Sequence, residues 1–135
     1  MSVLHIGAAL EAALDAISPP IDTDWENGQA FEPINGTPYQ AVSVLFARPD
    51  NAEIGPQYVQ RGFMQVTLMY PLNAGSGAAV ARADLLRSTF RRGLSLTSGG
   101  VIVTIEKTPE IMPGFRDGDR YAVPVRVPFF APVNT

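Results

Sequence analysis

The sequence predicts an α+β domain in which a four-stranded, mainly antiparallel sheet packs against two helices, in the order α-β-β-α-β-β. Three observations predict it. The stretch Gln57 to Tyr70 alternates, with Tyr58, Met64, Val66, Leu68 and Tyr70 on one side and Val59, Phe63, Thr67 and Met69 on the other. That is the period of a strand. Two segments, Ser2 to Ile17 and Ala78 to Arg92, instead repeat their apolar residues every three or four positions, as amphipathic helices do. Three further short alternating runs supply the other strands. The 135 residues suit one domain with one core, spanning 1–135.

In the first helix Val3, Ile6, Leu10, Ala13, Leu14 and Ile17 form the stripe, Ser2 is a candidate N-cap and Ser18-Pro19-Pro20 stops it. Ile21 to Pro38 is a connector shaped by Asn27-Gly28 and Asn35-Gly36 turns. Its Trp25 and Phe31 either pack it onto the core or anchor it in a partner. Tyr39 to Ala47 is the first strand, with Val42, Val44 and Phe46 on one face. A polar link, Arg48 to Pro56, makes it an antiparallel hairpin with the Gln57 strand.

Pro71 to Gly77 is rich in breakers, and Ser76 is placed to cap the second helix. That helix carries Ala79, Ala83, Leu86 and Phe90 as its stripe, with Arg82, Arg87, Arg91 and Arg92 on the outer flank and Gly93 just past its end. Leu94 to Gly99 turns the chain into a third strand, Gly100 to Glu106, in which Val101, Val103 and Ile105 share a face. Thr108 to Asp119 reads as an irregular link or flap. Arg120 to Ala131 is the last strand, with Tyr121, Val123, Val125, Val127 and Phe129 on one face. Pro124 and Pro128 on the other lack a donor and mark an edge strand.

The chemistry of catalysis is sparse. There is no cysteine and one histidine, His5, which excludes thiol nucleophiles and thiolate metal sites and leaves no histidine partner for a triad or zinc. Asp22, Asp24 and Glu26 alternate but lack the length, glycine and closing glutamate of a calcium loop. The Gly75-Ser76-Gly77 run lacks the lysine and hydroxyl of a phosphate loop. No catalytic, cofactor-binding or metal-binding residue is therefore assigned, and no cofactor is expected. A net charge of -3 gives no general attraction to nucleic acid or anionic membrane. No apolar run approaches the length of a spanning helix, and the first residues lack the basic region of a secretory leader.

The ordered features resemble a family. They are the first helix, Trp25, Phe31-Glu-Pro-Ile-Asn-Gly-Thr-Pro-Tyr39 entering a strand, and Gly62-Phe-Met-Gln-Val-Thr-Leu-Met-Tyr-Pro71 with Gly75 and Gly77 before a helix. Phe90, Gly93 and Gly99-Gly100 follow, then Asp119-Arg-Tyr-Ala-Val-Pro-Val125. Together, from about residue 3 to residue 130, they resemble the tail terminator, or tail completion, minor tail proteins of tailed bacteriophages and related small phage proteins. The resemblance implies a virion protein assembled in the bacterial cytoplasm, forming a homohexameric ring on the tail tube end. There it stops tube polymerisation and offers a surface for head joining. The partners implied are the tail tube protein and a head completion or connector protein, with DNA only as cargo passing through and no membrane. It assigns no interface residues. From the residues themselves, the candidates for subunit or tail contacts are Trp25, Phe31, Arg87, Arg91, Phe115, Arg116, Phe129 and Phe130. The alternatives are another phage component, such as a head-tail connector or tube subunit, or a small enzyme or adaptor with carboxylate chemistry.

Overall fold

A computed structural model describes residues 2–26, 28, 31–34, 36–49, 51, 57–72 and 75–134; the side chains of Ser2, Val3 and Asn134 lie outside the description. Helix α1 spans Ser2–Asp15 and α2 spans Gly77–Thr89. The strands are β1 (Asp22–Asp24), β2 (Tyr39–Phe46), β3 (Gln57–Pro71), β4 (Ser95–Ser98), β5 (Val101–Ile105), β6 (Glu110–Ile111), β7 (Phe115–Asp117) and β8 (Arg120–Asn134). They form one eight-stranded mixed sheet in the order β1-β2-β3-β8-β5-β4, with β6 and β7 also on β8. The expected four-stranded sheet and its α-β-β-α-β-β order are therefore corrected. The four predicted strands exist, and β2 does pair antiparallel with β3. Four others were hidden in segments that read as connectors or turns.

Each hidden strand has a physical reason. β1 is Asp-Thr-Asp and β4 is Ser-Leu-Thr-Ser, sequences of weak intrinsic strand preference held extended by their neighbours. β1 runs parallel to β2, which makes the sheet mixed. β4 turns into β5 through Gly99 and Gly100, both at positive φ, as a two-residue hairpin turn requires. The predicted flap from Thr108 to Asp119 contains two short strands: β5, β6 and β7 lie in succession along one edge of β8, all antiparallel to it. They form one arm of a long hairpin whose register slips by two residues between Ile105 and Glu110 and by one between Ile111 and Phe115. These are bulges, where extra residues bend a strand without ending it.

The bulges explain the prolines of β8. That strand is central, between β3 and the arm, so the edge-strand reading is also corrected. The carbonyl of Pro128 accepts from the Glu106 N–H and that of Pro124 from the Met112 N–H, both at 2.9 Å. In an antiparallel ladder a residue's N–H and C=O point to the same neighbour. The missing donors of Pro124 and Pro128 therefore face the arm where it bulges, and the ladder to β3 on the other side is untouched.

The core takes the predicted faces. Met64, Val66, Leu68 and Tyr70 of β3 and Val123, Val125, Val127 and Phe129 of β8 are buried under Ile6, Leu10 and Leu14 of α1, Ala79, Ala83 and Leu86 of α2 and Phe90 just past its end. Helix α2 lies on β3 and β8. Helix α1 reaches both ends of the strand order: His5 lies against Gly99 in the β4–β5 turn, while Leu4, Gly7 and Glu11 share a groove with Val44 and Phe46 of β2. One helix can touch both ends only if the sheet curls, and α1 fills the mouth of that curl.

Two helix details differ from expectation. Both helices end earlier, at Asp15 and Thr89, and Ser76 holds the N-cap position without a side-chain hydrogen bond. Arg82 was expected on the outer flank of α2 but is buried, donating to the Pro19 carbonyl.

Candidate functional site

Among the described residues no group of three or more His, Asp or Glu could hold a metal ion. His5 is used in packing, its imidazole against Gly99. Glu26 of the acidic run accepts the Val44 N–H at 3.0 Å, so it finishes part of the outer edge of β2 that β1 leaves unpaired. The features left over are those of a surface that meets other surfaces.

The residues singled out from the sequence fall into three groups. Phe129 is fully buried and meets Phe46 edge to face at 6.0 Å, so it belongs to the core and is not available to a neighbour. Trp25, Phe31, Arg87 and Phe130 are half-buried and engaged within the chain. Trp25 packs on the core beside α1, and Phe31 lies 5.1 Å from the Tyr39 ring. Arg87 Nε donates to the Pro109 carbonyl at 3.2 Å, tying α2 to the arm, and Arg61 lies 5.8 Å over Phe130. Arg91, Phe115 and Arg116 are exposed. They do not form one patch: Phe115 and Arg116 are on the arm, whereas Arg91 follows α2.

Arg91 and Arg92 stand on a braced corner. The Leu94 N–H returns to the Arg91 carbonyl at 3.0 Å, and Gly93, at φ +87, donates to Ile105 at 2.8 Å. Ile105 in turn donates to Leu94 at 2.9 Å. Among the described residues neither arginine has an ion-pair partner.

The sequence reading missed a second surface. Leu4 is 67% exposed and Phe46 40% exposed, flanking a groove between α1 and β2. Alternation places Phe46 on the same face as Val42 and Val44, but it is the last residue of β2 and is exposed where Val42 is buried. Glu11 and Glu26 lie on the same groove. Burial raises the Glu11 carboxyl above its ordinary range, and the nearby Glu26 charge adds to the shift.

A solvent-facing groove, a cationic corner and scattered exposed apolar residues, with no metal-holding cluster among the described residues, suit a subunit of an assembly. A family model described as "Phage tail terminator protein" matches residues 5–129. The chain belongs to the phage tail terminator family. Eight solved chains match it as well. One, 26% identical with a TM-score of 0.78, covers 100% of this chain and 99% of its own length, and carries no functional name. No curated protein matches the sequence. Membership makes the chain a structural protein of the virion, associated with tail assembly, and no helix among its described residues is long and apolar enough to cross a membrane.

Proposed function

We propose that copies of this chain close into a ring of six at the end of the tail tube, halt tube polymerisation and present the surface to which the head is joined. The family match over residues 5–129 carries this reading. The distribution of exposed apolar groups supports it, because Leu4 and Phe46 by β2, Ile102 on β5 and Phe115 on β7 lie at separate places, as a subunit with several neighbours requires. A ring of identical subunits uses two different faces that meet head to tail. Its partners are the tail tube protein on one side and a head completion or connector protein on the other, with assembly in the bacterial cytoplasm and DNA passing through. The net charge of -3 suits a lumen that does not retain DNA.

Sedimentation velocity over a wide concentration range, followed by electron microscopy with purified tail tubes, tests this. A discrete species near six subunits, and rings on tube ends, are expected. Open-ended growth would instead make the chain a tube subunit.

A further inference from the structure

The two surfaces described above complement one another. The helix side of the groove between α1 and β2 carries small residues, Gly7 and Ala8, which let another chain approach the helix backbone closely. Its apolar rim is Leu4 and Phe46, and its charged groups are two carboxylates, Glu11 and Glu26, of which Glu11 is held back from ionising by burial and then by the Glu26 charge. The charge missing from this arrangement is positive. Arg91 and Arg92 supply it on the corner between α2 and β4, held by three backbone hydrogen bonds so that little backbone freedom is lost on binding. The groove is at the β2 end of the strand order and the corner at the β4 end, separated by β3, β8 and β5.

We infer that the Arg91–Arg92 corner of one copy docks in the Glu11–Glu26 groove of the next, forming the head-to-tail contact of the ring. This rests on the ring reading and assigns its faces. A contact between two different patches leaves one groove and one corner free on every dimer, so it repeats until the rotation closes. The two carboxylates each gain a guanidinium partner, and the exposed Leu4 and Phe46 are covered. Val44, whose N–H is held by Glu26, fixes the position of one carboxylate before docking.

The test uses the full chain in three forms: wild type, Glu11→Lys, and Arg91→Glu with Arg92→Glu. In sedimentation velocity each variant alone is expected to associate at least about tenfold more weakly than wild type, because like charges then face each other across the contact. Mixed in equal amounts, the two variants are expected to reassemble, since half of their contacts are the native pair and in the other half the lysine introduced at position 11 faces the glutamates introduced at the corner, with Glu26 the one like charge left. Recovery on mixing also shows that both variants are folded. If wild type assembles and the variants alone do so equally well, or if the mixture stays dissociated, the contact is wrong and the ring stands. If wild type remains a monomer with and without tail tubes, the ring reading fails and takes the contact with it.

Discussion

The guanidinium of Arg120 lies 5.0 Å from the centre of the Tyr39 ring. The same side chain, 5% exposed, donates to the Thr37 carbonyl and, at 2.7 Å, to that of Ile34. One arginine at the start of β8 therefore pins the end of the connector to the first residue of β2, and Phe31 meets Tyr39 there as a tilted ring pair. Replacing it strands two carbonyls. Arg120→Ala is expected to cost about 2–4 kcal/mol in urea unfolding, the range for losing a buried, charge-assisted donor. Arg120→Lys should recover less than half, because a compact ammonium does not span both carbonyls and stack on the ring. A loss below about 0.5 kcal/mol for the alanine variant would show that the joint holds without it.

Gly62 is the close-approach point of the sheet. A Cβ there would collide with the Leu45 carbonyl oxygen and stand 3.0 Å from Phe129 Cζ. Backbone cannot yield as a flexible side chain would, so Gly62→Ala is expected to destabilise by about 2–3 kcal/mol. Gly7 in α1 is the opposite case, with nothing within 4 Å of an added Cβ. Gly7→Ala should stabilise the dilute monomer by about 0.5–1 kcal/mol through helix propensity. Thermal unfolding of the pair checks both signs together.

The contrast between these residues and the strands shows how far the sequence could be read. Met64 to Tyr70 and Tyr121 to Phe129 declared their helix-facing sides by alternation, because Met64, Val66, Leu68 and Tyr70 and Val123, Val125, Val127 and Phe129 are the large side chains buried under the helices. Asp22 to Asp24 and Ser95 to Ser98 declared nothing, since their extended state comes from hydrogen bonds to β2 and β5 and not from their side chains. Pro124 and Pro128 pointed the wrong way because a missing donor marks an edge only when a straight partner needs it, and the bulged arm does not. At the proposed contact, exposed Arg91 was visible as a cation at a helix end. The groove was not, because Glu11 and Glu26 become neighbours only when α1 is laid against the β2 edge.

Arg82 is a second buried guanidinium, 6% exposed, donating to the Pro19 carbonyl while its Nε has no partner. Burial lowers its affinity for the proton and raises that of the nearby Tyr70 phenol, and the attraction between the two charged forms opposes both shifts. Its value to the fold is therefore partly the packed stem and partly one strong hydrogen bond. Arg82→Ala removes both and is expected to cost about 2–4 kcal/mol. Arg82→Met keeps the stem and should cost clearly less. Equal losses in denaturant unfolding would assign the whole effect to the bond to Pro19.

Glu11 gives a pH dependence whose sign follows from its environment. Its folded pKa is raised above the ordinary 4.5, first by burial and then by Glu26, so the folded monomer holds this proton more tightly than the unfolded chain does. Stability then falls as pH rises from the unfolded value through the folded one, and the penalty persists at neutral pH. Glu11→Gln removes it. The dilute variant should melt at a higher temperature than wild type at pH 7 and show no such gain below the ordinary carboxylate range. In concentrated protein the order should reverse, because the ionised Glu11 that strains a monomer is the group that Arg91 and Arg92 of a neighbour would satisfy. Melting both proteins at two concentrations and two pH values separates these effects. A glutamine variant that is more stable in every condition would mean that Glu11 meets no cation in the assembly.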